Sequence, residues 1–328
     1  MILLAALLIA FAADIAIGSV LIPFDELLQT IFNPQSDTGW DFIIWEFRLP
    51  KALTAILVGA GLSVSGLMMQ TLFRNPLAGP YVLGISSGAG LGVAIFVMLL
   101  GFGGVGMIGS SLGNLGLVGA SILGSVIVML LVIVVSLRVR DSVSVLIIGI
   151  MFGSITGAIV SVLQYFSDPD SVHSFLVWTF GSISGVTWKQ FWFFSPLVII
   201  GLIISFGLHK PLNAWLLGEN YARGVGMDVR RSRLFLIILT SIIAGALTAF
   251  TGPIAFIGVA VPHIARSLLK TSEHKLLIPA VMGIGSILML VCDLISQLPG
   301  SSLLLPINSV TALFGAPVVI WVITRKKA

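Results

Sequence analysis

Long apolar blocks separated by short polar interruptions run through the whole chain and limit what it can fold into. Each block has roughly 17 to 25 residues, the length that a helix needs to cross about 30 Å of hydrocarbon. Hydrophobic residues make up 57% of the 328, charged residues only 9%, and the mean hydropathy is +1.13. This composition excludes a water-soluble globular domain. Because an open sheet cannot satisfy its backbone in lipid, the sequence predicts an all-α integral membrane protein.

The blocks predict about ten transmembrane helices in a single domain that covers residues 1–328. The boundaries around residues 100–115 are blurred, because the run there is rich in glycine. The first block can also be read as a signal peptide, but no Lys or Arg precedes it, so a retained span is favoured. The predicted spans are residues 1–22, 50–72, 84–104, 113–137, 143–166, 189–208, 231–250, 252–269, 276–297 and 304–324.

The basic residues give these helices an orientation. If the N-terminus is cytoplasmic, fourteen of the seventeen Lys and Arg residues fall on the cytoplasmic side, as the positive-inside rule requires. An even number of spans then places both termini in the cytoplasm. The net charge of +4 is therefore a topology signal, and no nucleic-acid partner is expected. The fourteen are Arg74, Arg138, Arg140, Lys210, Arg223, Arg230, Arg231, Arg233, Arg266, Lys270, Lys275, Arg325, Lys326 and Lys327.

The sequence contains no pattern for catalysis or for metal binding. A nucleotide-hydrolysing P-loop requires a glycine immediately before its lysine, and none of the seven lysines follows a glycine. The four histidines lack metal-ligand spacing. The single cysteine, Cys292, lies in an apolar run and is interpreted as a packing residue. We therefore expect no enzymatic activity, no metal and no cofactor on this chain.

Residues 211–228, PLNAWLLGENYARGVGMD, form the least usual connection between two spans. Pro211 suits the first turn of a helix, and Glu219 and Arg223 make an i,i+4 pair of the favourable polarity. The pattern predicts a short amphipathic helical segment that contacts another protein, or alternatively one that lies on lipid headgroups. Small residues in it leave room for close docking: Gly218, Ala222 and Gly224.

Small and polar residues recur along one face of the fifth predicted span. Their spacings of three, four and three residues place them on a single helical stripe. Small residues also make ordinary helix contacts, so the pattern is equally consistent with a transport path and with packing. The stripe consists of Ser154, Gly157, Ser161 and Gln164.

Two carboxylates, Asp14 and Asp293, lie within apolar runs. An ionisable group in hydrocarbon is costly, which makes each of them a functional candidate. They support an alternative function, an ion- or proton-coupled secondary transporter. Such a transporter needs no segment like residues 211–228, so this alternative is the less favoured one.

Motifs along nearly the whole chain resemble the FecCD-type permeases, the membrane subunits of ABC importers for iron-siderophores, haem and cobalamin. The resemblance is carried by RLPKALTAILVGAGLSVSGLMMQTLFRNPLAGPYVLGISSGAG at 48–90, LNAWLLGENYARGVG at 212–226, GPIAFIGVAVPHIAR at 252–266 and LPINSVTALFGAPVVIWVI at 305–323. The family's Asp is kept at 293. The sequence departs from the family pattern at Ala260, where Leu is usual, at Gln297, where Arg is frequent, and at Asn308, where Gly is usual.

The resemblance implies a type II ABC importer permease fold in the bacterial inner membrane. It further implies a homodimer, two cytoplasmic ATPase subunits that bind ATP and Mg²⁺, and an external substrate-binding protein. In such permeases the segment at 211–228 forms the coupling helices that dock on the ATPase. The coupling residues implied here are Leu212, Asn213, Leu217, Gly218, Glu219, Ala222, Arg223 and Gly226.

Further positions take their roles from the same resemblance. The fifth helix of these permeases lines the path at the dimer axis, which assigns the stripe of the fifth span to the path. Asn75 and Leu77 match one cytoplasmic gate loop, and Ser142 and Val143 match the other. The outer cations Arg48 and Lys51 match positions that receive acidic side chains of the binding protein; alternatively they snorkel to headgroups or pair with Glu46.

Overall fold

The computed structural model of the protein describes residues 2–18, 39–100, 111–139, 142–298 and 304–325. Within these ranges the chain forms helices joined by turns and short irregular stretches, and it has no strand. Several predicted features lie outside the described residues. They are the span ends at 19–22 and 101–104, and the basic residues Arg140, Lys326 and Lys327.

We number the helices of the described chain α1 to α13. They are α1 Ile2–Ala16, α2 Leu49–Leu72, α3 Ile85–Ala94, α4 Ser111–Ser136, α5 Ser142–Phe166, α6 Pro169–Thr179, α7 Trp188–Gly207, α8 His209–Leu216, α9 Glu219–Gly224, α10 Val229–Thr251, α11 Ile257–Leu269, α12 His274–Ser296 and α13 Ile307–Arg325. A short helix, Gly39–Phe42, and a π-helical stretch, Ile43–Arg48, lead directly into α2. A second π-helical stretch, Ile95–Leu99, continues α3.

Every predicted span corresponds to one helix of the described chain, but the helices differ in length. Six are long and apolar enough to cross a membrane: Trp40–Leu72, Leu115–Ser136, Ser142–Phe166, Trp188–Gly207, Val229–Thr251 and His274–Ser296. The other four are shorter apolar helices, Ile2–Ala16, Ile85–Leu99, Ile257–Leu269 and Ile307–Trp321. The prediction of an all-α membrane protein is confirmed; six of the ten predicted spans are helices long enough to cross a membrane, and the other four are shorter than expected.

Helix α2 lies at the centre of the bundle, where α1, α7, α10, α11 and α12 pack around it. Of its most apolar window, 83% is buried inside the protein. Glycines bring the helix axes close together on two sides. A Cβ atom on Gly59 would collide with the backbone of Gly285 in α12, and one on Gly66 would collide with the backbone of Gly258 in α11. Small residues therefore set the packing of α2, as expected for helices in lipid.

The eighth predicted span, 252–269, is only partly helical. Residues 252–256 are irregular, and α11 begins at Ile257. The free backbone groups of this stretch are satisfied inside the protein, since the Ala255 amide donates to Asn308 Oδ1 (3.0 Å) and the Ile254 amide donates to Tyr81 Oη (3.4 Å). Non-helical backbone at membrane depth requires such internal partners. Asn308, a departure from the family pattern, thus completes the break before α11.

Helix α6 was not predicted. Its sequence signal is an Asp-Pro pair, because Asp168 caps the helix by accepting the Ser171 amide (2.9 Å) and Pro169 occupies the first turn. The Ser171 amide also lowers the pKa of Asp168, since it stabilises the ionised carboxylate.

Three hydrogen bonds of basic residues join helix ends at one end of the bundle. Arg230 donates to the Leu137 carbonyl (2.9 Å), His274 bonds Thr71 (2.9 Å), and Arg266 donates to Gln70 (2.7 Å). We call this the basic end. It is the end that the sequence places in the cytoplasm.

Candidate functional site

The segment predicted to couple to an ATPase folds as two short helices rather than one. Helix α8 ends at Leu216 and α9 begins at Glu219. Between them Gly218 has φ of +104°, a conformation that strains any residue with a Cβ atom. The glycine therefore fixes the angle between α8 and α9.

Helix α8 is anchored to the bundle by its buried face. Leu212 and Trp215 have no exposed surface, and the Trp215 indole donates to Ser232 Oγ (2.9 Å). Asn213 Oδ1 accepts the His274 amide (3.0 Å) and also bonds the ring Nδ1 of His274 (2.8 Å), so it caps the N-terminus of α12. Leu212 and Asn213 thus hold the segment in place from within.

The opposite side of the segment carries an exposed apolar stripe. Leu217 is 62% exposed, Tyr221 49% and Val225 58%, and they lie four residues apart. Arg223 and Gly226 are exposed beside the stripe, whereas Ala222 is buried beneath it. Sequence reasoning missed Tyr221 and Val225, although the i,i+4 spacing of these two residues was an available signal.

Glu219 joins the coupling segment to one of the predicted gates. Its Oε1 accepts a 2.6 Å hydrogen bond from Ser142 Oγ, at the first residue of α5. Its Oε2 lies 3.7 Å from the Arg223 guanidinium, which confirms the predicted i,i+4 pair. Two residues that the sequence assigned to separate roles, Glu219 and Ser142, are therefore in direct contact.

The two predicted gate loops are held by different elements. Asn75 Oδ1 accepts the Leu77 amide (2.9 Å), and the carbonyl of the intervening Pro76 bonds His263 Nε2 of α11 (2.7 Å). Ser142 is 8% exposed because it bonds α9, whereas the next residue, Val143, is 57% exposed. One gate is thus tied to α11 and the other to the coupling segment.

The predicted path stripe lies on the open face of α5. Only 17% of the most apolar window of this helix is buried inside the chain, against 83% for α2. Ser154 and Ser161 are exposed, and a Cβ atom on Gly157 would meet nothing within 4 Å, whereas Gln164 is half-buried. The Ser154 hydroxyl donates to Ile150 (3.1 Å) and that of Ser161 to Gly157 (3.0 Å), so both bond their own helix.

The predicted docking cations, Arg48 and Lys51, are both buried within the chain. Arg48 is 7% exposed and donates to the carbonyls of Ile15 and Ala16 at the end of α1. Lys51 is 5% exposed and lies 2.6 Å from Asp293. Carbonyls at the end of α1 hold the Arg48 side chain inside the protein, and carboxylates hold that of Lys51. Glu46 is not the ion-pair partner of Lys51.

The carboxylates Asp14 and Asp293 belong to this same buried network. Asp293 accepts from Gln297 (2.7 Å) besides pairing with Lys51, and Asp14 lies 3.6 Å from Lys51. The network joins α1, α2 and α12. These are the two carboxylates that the alternative function would use as its coupling site, and both lie beside Lys51.

No group of three or more His, Cys, Asp or Glu side chains in the described ranges is arranged to hold a metal ion. The buried Cys292 packs within α12.

Comparisons with known proteins agree with this arrangement. The model of the FecCD transport family matches residues 6–325. The vitamin B12 import system permease protein BtuC of Citrobacter koseri is 37% identical over 287 residues, which cover 88% of this chain and 84% of the relative. BtuC of Klebsiella pneumoniae is 37% identical over 285 residues, covering 87% and 83%.

Solved structures share the fold. A structure described as a metal-chelate type ABC transporter in an inward-facing conformation superposes with a TM-score of 0.85 at 29% identity, covering 98% of this chain and 97% of the other. PsaBC from Streptococcus pneumoniae in complex with Fab superposes with a TM-score of 0.56 at 17% identity, covering 90% and 94%. The second likeness concerns the fold alone.

Proposed function

The chain belongs to the FecCD transport family, and from this membership we propose that it carries a metal chelate inward from an external binding protein, driven by two cytoplasmic ATPase subunits. It is a permease subunit of a metal-chelate ABC importer and not an enzyme. ATP and Mg²⁺ bind the ATPase partner in this proposal, and the permease itself holds no cofactor.

The contact between Glu219 and Ser142 is the observation that supports coupled transport most directly. It connects a segment with an unpartnered apolar stripe, Leu217, Tyr221 and Val225, to the start of the helix that carries the path. A partner that docks on the stripe can thus displace α5 through one polar contact. A secondary transporter would have no use for this arrangement.

The open face of α5 supports a second copy of the chain as the neighbour of this helix. A path between two copies places Ser154, Gly157, Ser161 and Gln164 at the shared axis, with Val143 at its cytoplasmic end. The hydroxyls in this stripe bond their own backbone, so they offer a cargo little polar attraction. Such a wall suits a large chelate that has to pass without being retained.

Cobalamin is the chelate that we favour as cargo, because the BtuC relatives are named for vitamin B12 import. Iron-siderophores and haem are the other candidates of the family. The grouping of basic residues at one end of the bundle supports an inner-membrane orientation with both termini in the cytoplasm.

Reconstitution tests the function and the cargo together. The permease, its ATPase and its binding protein are placed in proteoliposomes, and ATP hydrolysis and uptake are measured with cobalamin, a ferric siderophore and haem in turn. We expect one chelate to stimulate both activities. Uptake that follows a proton or sodium gradient without ATP would contradict the proposal.

A pair of leucines tests the docking surface. Leu217 in the coupling segment and Leu268 near the end of α11 are 62% and 67% exposed at the same end of the bundle. Leu217→Glu is expected to abolish co-purification of the ATPase, because it places a charge in the apolar stripe. Leu268→Glu makes the same change outside the stripe and should leave co-purification intact. Equal effects of the two substitutions would refute the assignment of the stripe.

A further inference from the structure

A cavity of about 580 Å³ opens at the basic end of the bundle, beside the coupling segment and next to the loop of Pro76. It lies between the ends of α2, α8, α11 and α13. This volume falls within the range of cavities that hold small organic ligands. The lining residues are Gln70, Thr71, Arg74, Pro76, Leu216, His263, Arg266, Ser267, Ser272 and Trp321.

The charge of the cavity is positive. Arg74 and Arg266 both line it, and no carboxylate is among its lining residues in the described chain. Neither arginine takes part in an ion pair between described residues. Helices α2 and α11 end beside the cavity, and each helix end carries about half a negative charge. Together they offset about one of the two guanidinium charges, so an excess of about one positive charge remains.

The donors in the cavity suit a phosphate group. Arg266 spends one hydrogen bond on Gln70 Oε1 (2.7 Å), and a guanidinium has five donors in a planar fork that matches phosphate oxygens. Ser267 and Ser272 also line the cavity. Arg74 stands on a loop with φ of +48°, and its guanidinium lies over Gly218, where a larger residue would crowd it.

We propose that this cavity binds the phosphate of an anionic phospholipid headgroup. Two observations favour a lipid over a dissolved phosphate. Trp321 lines the cavity and is 47% exposed, and the adjacent Ile320 is 62% exposed, so one wall of the cavity continues onto the outer surface of α13. Tryptophan prefers the level of the headgroups. Basic pockets between helices on the cytoplasmic side are typical sites for anionic headgroups.

The test compares lipid retention by variants of the full-length chain. Protein extracted in mild detergent is mixed with equal amounts of phosphatidylglycerol and phosphatidylcholine, and bound lipid is counted by native mass spectrometry. We expect the wild type to bind more phosphatidylglycerol than phosphatidylcholine. The double variant Arg74→Gln, Arg266→Gln should bind at least tenfold less phosphatidylglycerol than the wild type does. Arg231→Gln is the control, because it removes one positive charge from an exposed side chain at the same end.

A second variant distinguishes a loss of lipid binding from a folding defect. Ser272→Glu introduces a carboxylate at an exposed loop position and leaves both arginines in place. It is expected to lower phosphatidylglycerol retention as strongly as the double variant does. Retention that is unchanged in Ser272→Glu, or that falls equally in Arg231→Gln, would overturn the proposal.

A separate arm distinguishes a lipid from a dissolved anion. Inorganic phosphate is added at constant ionic strength and thermal unfolding is followed. If phosphate raises the unfolding temperature of wild type but not of the double variant, while phosphatidylglycerol is not retained, the site binds a soluble phosphate and the lipid assignment is overturned. Retention of phosphatidylglycerol without a response to inorganic phosphate supports the headgroup site.

Discussion

Replacing Glu219 by Gln tests whether the coupling segment acts on the gate through a single hydrogen bond. The substitution keeps the shape of the side chain but removes its charge. Two contacts are affected, the 2.6 Å bond from Ser142 and the 3.7 Å pair with Arg223. The pair is 60% exposed on its arginine side, so it contributes only about 0.3–0.5 kcal/mol. The bond to Ser142 therefore dominates.

The size of the effect follows from the type of hydrogen bond. A bond to a charged group contributes about 1.5–3 kcal/mol and a neutral bond about 0.5–1.5 kcal/mol. Loss of the charge thus weakens the link by about 1 kcal/mol, about a fivefold change in the equilibrium between linked and separated states. We expect the uptake per ATP hydrolysed to fall about fivefold in Glu219→Gln, and further in Ser142→Ala, where the donor is absent.

The assay measures ATP hydrolysis and chelate uptake in proteoliposomes that contain the whole importer. Glu273→Gln is the control, since it removes an exposed carboxylate at the same end that makes no side-chain capping bond. A double-mutant cycle of Glu219→Gln and Ser142→Ala should give a coupling energy of about 1 kcal/mol. Additive effects, or an unchanged ratio of uptake to hydrolysis in both single variants, would refute the reasoning.

Three further predictions concern the bundle. Lys51→Met removes the cation that lies closest to both buried carboxylates and should lower the free energy of unfolding by about 3–5 kcal/mol, measured by thermal unfolding in detergent. Gly66→Ala should destabilise by about 1–3 kcal/mol because its Cβ has no room, whereas Gly157→Ala, in open space, should not. Val143→Cys in a Cys292→Ala background should crosslink two copies of the chain; absence of the crosslink in every nucleotide state would contradict a gate at the dimer axis.

The bundle could be predicted from sequence because hydrocarbon thickness and backbone satisfaction leave few choices. The positions of the ten spans follow from apolar length alone, and the coupling segment follows from its unusual polarity. The break at residues 252–256 could not be predicted in the same way. Its amides are satisfied by Tyr81 and Asn308, which lie about 170 and 50 residues away in the chain, and local pattern contains no information on such partners.

The site shows the same division between local and distant information. The pair of Glu219 and Arg223 follows from helical spacing, and the structure confirms it. The bond between Glu219 and Ser142 joins residues 77 positions apart and required the fold. The burial of Arg48 and Lys51 could not be predicted for a related reason. The scarcity of Lys and Arg on the outer side indicated a function for these two cations. The groups that surround them in the folded chain belong to other helices, so local sequence pattern does not reveal them.

The buried network also explains how the chain accepts glutamine at a position where FecCD-type permeases frequently have arginine. Lys51 pairs with Asp293 and Asp14, and Arg48 interacts electrostatically with Asp14, so two cations already face two carboxylates. A third cation in this low-dielectric junction would need a further anion or access to water. Gln297 instead donates its neutral amide to Asp293 at 2.7 Å and approaches Asp14 at 3.5 Å. Gln297 therefore supplies a neutral hydrogen bond to Asp293 at the junction of α1, α2 and α12.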